Sequence, residues 1–194
     1  AFVTYKLFQE VTRERSTRNI VNIDGHKEVD ENWRLGHLSE VGAGKTLMIP
    51  LYSDQSFNQD YFSKSSNSIR NYLFINTDTS QKKWLFDHTN YLIEQSDRVS
   101  LGDYSSREPV AVILYQLVKL DSDHDDRLSA NDLTTVAITN PDGTGYQELI
   151  QEVDSVTGHK LLNETELFII YQKRGASYSA IIDLVSRELT RNSV

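Results

Sequence analysis

Residues 110–120 read VAVILYQLVKL, and residues 121–132, which follow directly, read DSDHDDRLSAND. The first stretch is rich in apolar and β-branched residues, which is typical of a buried strand. It contains the longest apolar run of the chain, residues 110–115, which is far below the roughly 18 residues of a membrane-spanning helix. Together the two stretches predict a β-rich fold that carries an acidic loop between strands.

Shorter apolar segments, separated by polar turns, lie on both sides of this strand. Turn signals recur about every eight to twelve residues, which is typical of antiparallel sandwiches, meanders and propeller-like sheets. The sequence therefore predicts a mainly β fold with helix as a minority. The predicted strands lie at 46–53, 71–76, 82–86, 91–94, 133–139, 147–150, 165–172, 177–184 and 187–190.

Three segments share one plan, in which an apolar strand is followed by an acidic turn and a short strand that contains Leu. They read LFINTDTSQKKWLF (73–86), VAITNPDGTGYQELI (136–150) and AIIDLVSRELT (180–190). The turn aspartates Asp78, Asp142 and Asp183 are expected to accept hydrogen bonds from the backbone that follows them. These units resemble the outer hairpins of TolB-type and WD-repeat-like propeller blades. The resemblance implies propeller-like sheets, and the length of the chain favours two or three sheets, or one twisted meander, over a closed propeller.

The acidic loop 121–132 has the pattern of a site for a hard cation. Calcium takes about six to eight oxygen ligands, which one short loop can supply from alternate positions. The apolar Leu128, at loop position 8, is expected to pack inward. The predicted metal ligands are the side chains of Asp121, Asp123, Asp125 and Asp132, the carbonyl of Arg127, and Ser129 directly or through water.

This loop resembles an EF-hand loop, and more closely the dockerin-type variant, in which Asp at the twelfth position is followed by Leu, as Leu133 follows here. Asp126 stands at the sixth position, where the turn needs a positive φ and Gly is usual. Asp tolerates that conformation at a cost of about 1–2 kcal/mol. The flanking segments are strand-like, so the sequence predicts a calcium loop between strands with at most a short helical turn near 129–134. An acidic surface turn without an ion is the alternative.

Composition excludes several classes of function. The chain has 194 residues with 20 Lys and Arg against 28 Asp and Glu, a formal net charge of −8. This acidic balance argues against nucleic acid as a partner, because phosphate binding needs a basic face. The absence of Cys excludes disulfides, thiolate metal sites and cysteine nucleophiles. With no GxSxG motif or other catalytic signature, the sequence favours a non-enzymatic role.

Residues 1–20 are predicted to form an arm in front of a single β-rich domain over 21–194. An apolar spacing of three predicts a helix over residues 5–18, although alternation at the start of the arm leaves a strand open. The arm carries four basic and two acidic residues. We expect such a basic arm to follow a removed signal or membrane anchor, which would be the chain's one contact with a membrane.

Residues 53–70 are rich in Ser and Asn and show no apolar period, so they are predicted to form a long loop that holds Phe57, Tyr61 and Phe62. The combined features resemble envelope proteins of Gram-negative bacteria. That resemblance implies a periplasmic location, or anchorage facing the periplasm, and a protein partner in the envelope. The sequence favours a non-enzymatic, calcium-stabilised β domain that binds another macromolecule or has a structural role. The alternative is a hydrolase with its site near the 53–70 loop and no recognisable motif.

Overall fold

The computed structural model describes residues 15–25, 29–41, 45–59, 62–100 and 109–193, and these residues form sixteen β-strands and no helix. The mainly β prediction is confirmed, and within these ranges no helix is long and apolar enough to cross a membrane. The strands are β1 (Arg15–Arg18), β2 (Val21–Asn22), β3 (Val29–Leu35), β4 (Ser39–Val41), β5 (Thr46–Gln59), β6 (Phe62–Asn76), β7 (Lys82–Trp84), β8 (Leu92–Val99), β9 (Val112–Val118), β10 (Arg127–Leu128), β11 (Thr134–Thr139), β12 (Gln147–Val153), β13 (Ser155–Asn163), β14 (Glu166–Lys173), β15 (Ala176–Asp183) and β16 (Leu189–Ser193).

The described strands form three sheets. A ten-stranded sheet runs in the order β12-β11-β9-β8-β6-β5-β3, with β1 and β7 paired to β6 and β4 paired to β5. Its pairings are antiparallel except that β1 runs parallel to β6. The strands β13 to β16 form a four-stranded antiparallel meander, and β2 pairs with β10. The architecture is therefore antiparallel sheets joined mainly by hairpins.

Strand β9 is buried on both faces, which explains the unbroken apolar run of residues 110–115. Its Leu114 belongs to a core that the ten-stranded sheet shares with the four-stranded sheet, where Ile169 and Ile182 also lie. Its Ile113 and Tyr115 belong to a second core on the opposite face. A strand covered on both faces needs apolar residues at consecutive positions rather than at alternate ones.

The three repeated segments are hairpins: β6–β7, β11–β12 and β15–β16. In the last two, the predicted aspartates cap the turn: Asp142 accepts from the N–H of Thr144, and Asp183 accepts from the two N–H groups that follow it in the turn. In the first hairpin, Asp78 does not have this role. Asn76, two residues earlier, accepts the turn's N–H groups instead, and Asp78 pairs with Lys45 at 3.3 Å.

The turns of the three hairpins contact one another in chain order. In the second turn, a Cβ on Gly143 would lie 2.4 Å from the Phe74 ring of the first hairpin. In the third turn, Arg187 Nη2 donates to Asn140 Oδ1 of the second at 2.6 Å. These contacts fix neighbouring hairpins side by side at one end of the sheets.

The long loop predicted over 53–70 is wrong, because its described residues belong to β5 and β6, the arms of a long antiparallel hairpin. Phe57 lies in β5 and Phe62 in β6, and Tyr61 lies outside the described residues. The sequence of this segment does not indicate strands because the buried face of the hairpin is polar. The buried side chains on this face are Ser53, Gln55, Ser66, Ser68 and Arg70. Apolar alternation, the usual signal of a half-buried strand, is therefore missing.

Two predicted helices are also corrected. Of the helix expected over 5–18, the described part is β1, which pairs with residues 64–67 of β6, and residues 1–14 lie outside the described residues. The pairing with a segment about fifty residues away in the chain cannot be read from local apolar spacing. The helical turn expected over 129–134 is a turn in which the N–H of Asp132 donates to the Ser129 carbonyl at 3.2 Å, before β11 begins. The predicted arm and domain boundary at residue 20 stays a prediction.

The substitution Gly143→Ala is expected to lower the free energy of unfolding by about 3 kcal/mol in urea denaturation. Its φ of 76° disfavours a side chain by about 1–2 kcal/mol, and the forced shift of Phe74 adds about 1–3 kcal/mol. Gly175→Ala is the matched control, since Gly175 has a φ of 73° but no atom within 4 Å of the added Cβ. Equal losses for the two variants would contradict the close packing at Gly143.

Candidate metal centre

The acidic loop 121–132 lies between two buried strands, β9 and β11, so both of its ends are held by the core. This is the strand-flanked arrangement that the sequence predicts, without the two flanking helices of an EF-hand. Ser129 and Asp132 are buried, whereas Asp123 and Asp125 are exposed. The loop thus has an inner side, built on Asp132, and an outer side open to solvent.

Asp132 organises the inner side of the loop. Its Oδ1 accepts from the N–H of Ser122 at 2.6 Å and from the Ser122 hydroxyl at 3.0 Å, and its Oδ2 accepts from the N–H of Ser129 at 2.9 Å. The Ser122 hydroxyl oxygen also accepts from the N–H of Leu133 at 2.8 Å. One buried carboxylate therefore joins the beginning and the end of the loop.

Asp121 organises the outer turn. Its carboxylate accepts from the N–H groups of His124 at 2.7 Å, Asp125 at 3.2 Å and Asp126 at 2.9 Å. This turn places Asp126 at a φ of 61°, the positive φ expected at the sixth loop position, and places His124 at 63°. The sequence did not indicate the second of these left-handed residues.

The structure brings three of the predicted ligands together. Carboxylate oxygens of Asp121, Asp123 and Asp132 lie within 4.8 Å of one another, a grouping that could hold a metal ion. Asp125 is not part of this group; it is exposed, and its N–H donates to Asp123 Oδ1 at 3.3 Å. Half of the predicted ligand set is thus assembled by the backbone of the loop itself.

The other two predicted ligands lie on the inner arm of the loop. Arg127 is in β10, opposite Asn22 of β2. Ser129 is buried, and its hydroxyl oxygen accepts from the N–H of Asn131 at 3.2 Å. Ligand roles for Asp125, Arg127 and Ser129 stay predictions.

The pKa of Asp123 lies above its ordinary value. Desolvation is the largest cause, followed by the negative charges of Asp125 and Asp132. At Asp121, desolvation raises the pKa, but the three backbone N–H donors outweigh it, so the pKa lies below its ordinary value. Asp121 therefore keeps its negative charge readily, and Asp123 is the carboxylate that a nearby cation would relieve most.

The loop also contacts the chain near the N-terminus through β10. Leu128 pairs with Val21 of β2, and the N–H of Ile23 donates to the Asp126 carbonyl at 3.0 Å. Leu128 is 3% exposed and packs with Val21, Leu92 and Val118 in a small core. The inward packing predicted for Leu128 is confirmed, and the closed loop holds β2 in place.

Sequence reasoning missed two partners of the loop, Ser122 and β2. Ser122 stands between two aspartates at a position that normally carries no ligand, so its two bonds to Asp132 have no sequence signal. Strand β2 is two residues long and precedes the loop by about a hundred residues. Neither its length nor its composition indicates a partner.

Comparisons with known proteins find similarity among solved structures. No protein-family model matches the chain, and no curated protein matches it. Among solved structures, it is similar to the β-propeller domain of the Trilobed protease from Pyrococcus furiosus, which has an open velcro topology, with 10% identity and a TM-score of 0.42. The match covers 84% of this chain and 43% of the other, so the chain spans less than half of that solved chain's length. Any function of the chain therefore rests on the chemistry of its own residues.

Substitutions at Asp123 and Asp132 should change stability in opposite directions when a chelator removes metal. Asp132→Asn places an amide N–H₂ where buried N–H donors need an acceptor, so the free energy of unfolding should fall by about 1–3 kcal/mol. Asp123→Asn removes a charge that its neighbours repel, so the Tm should rise. Calorimetric melting in chelator measures both changes. A lower Tm for Asp123→Asn would contradict the repulsion.

Proposed function

We propose that this protein is a non-enzymatic β domain that is stabilised by calcium bound at the 121–132 loop. We also propose that it binds a macromolecule or has a structural role in the bacterial envelope. The observation that carries the proposal is the grouping of Asp121, Asp123 and Asp132 within 4.8 Å. This group lies in a loop that also clamps β2 through β10. A cation there would neutralise the repulsion and strengthen a contact between distant parts of the chain.

Calcium fits the donor chemistry of this loop better than other metals. The grouped side chains are carboxylates, which are the hard oxygen donors that calcium and magnesium prefer. Asp125, the Arg127 carbonyl and Ser129 would raise the ligand number toward the roughly six to eight oxygens of calcium. Magnesium needs near-ideal octahedral geometry and keeps several of its waters. An irregular loop with a buried inner side therefore favours calcium.

A stabilising ion, rather than a signalling ion, fits the position of the loop. Single loops of this kind in extracellular modules bind calcium at roughly 10⁻⁴–10⁻³ M, and the positive φ of Asp126 adds strain. Such an affinity suits a calcium-rich compartment outside the cytoplasm. We therefore propose a periplasmic location, or anchorage facing the periplasm, which also agrees with the basic arm.

Three serines of segment 53–70 are too buried to serve the hydrolase alternative. Ser66 and Ser68 are 2% and 0% exposed, so a substrate could not reach their hydroxyls. Ser53 is equally buried, and its hydroxyl donates to Glu31 at 2.5 Å. These serines are residues of β5 and β6, within the ten-stranded sheet.

A protein partner is supported by apolar exposure at one edge of the ten-stranded sheet. Trp33 and Leu35 of β3 and the nearby Leu38 are 44%, 52% and 54% exposed. Among the described strands β3 pairs with β5 alone, so its other edge is available. Exposed apolar side chains close together on a surface are typical of protein interaction sites.

Calcium is expected to bind at millimolar concentration or below and to raise the Tm, and a chelator is expected to lower it. At about one hundred times the dissociation constant, mass action gives roughly 2.7 kcal/mol of stabilisation. Titration calorimetry and thermal melting measure the two effects. Asp121→Ala should abolish the calcium dependence, Asp126→Gly should tighten binding by removing strain, and magnesium should substitute poorly.

The control for this experiment is Asp87→Ala, which removes an exposed aspartate outside the loop. It keeps the same change in net charge as Asp121→Ala and should leave calcium binding unaltered. If calorimetry detects no binding of millimolar calcium, the loop is an acidic turn and the proposed function fails.

The proposed partner surface is tested by replacing Trp33 with a photoreactive benzoylphenylalanine in the source organism. Irradiation should produce a discrete crosslinked protein adduct from position 33 in the envelope fraction. The same substitution at Val185, which is 78% exposed and far from β3 in sequence, is the control. Equal adducts from both positions, or none from position 33, would contradict a partner surface at this edge.

A further inference from the structure

A cavity of about 770 Å³ opens on one face of the ten-stranded sheet, and its floor includes Met48, Ile69, Tyr72 and Ile113. Part of its wall is the chain between β3 and β4, with Gly36 and His37, together with Ser39, the first residue of β4. Small-molecule sites have volumes of about 300–1,000 Å³ and combine apolar walls with a few polar groups. This cavity has that size and that composition, and the acidic loop does not line it.

Arg98 is the main polar group of this cavity. It lies on β8 opposite Ile113 of β9, so its side chain is on the floor side of the sheet. Its guanidinium donates to the Ser39 hydroxyl on the wall, and no carboxylate in the described ranges forms an ion pair with it. Arg98 is partly buried, and its side-chain partner among the described residues is a neutral hydroxyl, which an anionic ligand could replace.

The acidic neighbours of the cavity do not neutralise Arg98. Asp97 also lines the cavity, but it lies opposite Leu114, which packs in the core on the other face of the sheet, and its carboxylate accepts from Gln95 Nε2 at 2.8 Å. Asp54 is held by the cavity's second arginine, Arg34, at 2.6 Å. Among the described residues, alternation along the strand and an existing ion pair therefore leave Arg98 without a paired carboxylate.

The other polar side chains that line the cavity include hydroxyls, the amides of Asn19 and Asn67, and the ring of His37. The hydroxyls of Tyr72 and Ser96 lie 2.7 Å apart and satisfy each other. The Tyr52 ring forms an aromatic wall of the cavity. The Arg34 guanidinium lies over one face of this ring, 4.4 Å from its centre. The cavity thus combines the Arg98 guanidinium, these neutral polar groups and the His37 ring with an apolar floor.

We propose that this cavity binds an organic ligand with a single carboxylate and an apolar body. The carboxylate replaces the Ser39 hydroxyl on the Arg98 guanidinium, which can hold both of its oxygens at once. The apolar body lies on Met48, Ile69 and Ile113. A phosphate ester, with its second negative charge, fits less well because one arginine remains unpaired. The proposal is independent of calcium in the 121–132 loop.

The first test uses the unaltered protein and three probes followed by NMR titration. The probes are 3-phenylpropionate, its neutral amide, and acetate, which has the charge without the apolar body. We expect 3-phenylpropionate to shift resonances of cavity residues. The neutral amide and acetate should each bind at least about tenfold more weakly. If 3-phenylpropionate causes no such shift at tens of millimolar concentration, or if the amide binds equally well, the proposal is overturned.

A dipeptide that ends in phenylalanine, and the same dipeptide amidated, distinguish a free acid from a peptide C-terminus as the source of the carboxylate. Binding of the free dipeptide that is tighter than binding of 3-phenylpropionate indicates a peptide terminus. Weaker or no binding of the dipeptide indicates a small free acid. Either result agrees with the proposal, provided that the carboxylate is required.

The second test compares variants of Arg98 with a control variant of an arginine outside the cavity. Arg98→Leu should weaken 3-phenylpropionate binding about tenfold or more, and Arg98→Lys should weaken it less, because the charge remains without the planar pair of donors. Arg174→Gln is the matched control, since Arg174 does not line the cavity and pairs with Glu152 at 3.2 Å, and it should change affinity little. Undiminished binding by folded Arg98→Leu would overturn the proposal. If Arg98→Leu does not fold, Arg98→Lys and the amide comparison decide it.

Discussion

The burial of β9 on both faces is the constraint on which the rest of this structure depends. On one face of β9, side chains that include Leu114 pack against the four-stranded sheet. On the other face, Ile113 and Tyr115 pack toward β5 and β6. A strand in that position must pair on both edges, because its backbone has no access to water. Pairing with β8 and β11 satisfies this need and sets the order of the ten-stranded sheet.

The same constraint explains the position of the acidic loop. The chain leaves the core at the end of β9 and must return to it as β11, so the loop that joins them has fixed ends. Asp132, buried near the return point, can therefore bond Ser122 near the exit. The grouping of three carboxylates follows from this closure, which holds like charges together more tightly than a free acidic turn would.

The sequence predicts well where burial is apolar and poorly where it is polar. Strand β9 and the three hairpins could be predicted because their apolar runs and turn residues are local signals. The polar ends of β5 and β6 and the exposed β3 could not, because Ser53 and Gln55 are buried without being apolar and β3 is solvent-facing. In the loop, the positive φ of Asp126 and the inward Leu128 could be predicted, since both follow from loop position. The pairing with β2 could not, because it depends on a distant segment.

The polar layer under β2 links the loop to the stability of this part of the chain. The Asn22 side-chain amide nitrogen and the hydroxyls of Ser66 and Ser68 are buried without a hydrogen-bond partner in the described residues. Each such group costs about 1–3 kcal/mol unless a water reaches it. The Gln55 side chain accepts from the N–H of Asn22 at 2.8 Å and donates to its carbonyl at 3.4 Å, but these bonds leave the three buried groups unpaired. The attachment of β2 therefore depends on Val21 in its small core and on pairing with β10. Because β10 is part of the acidic loop, whatever orders the loop also decides how firmly β2 covers the sheet.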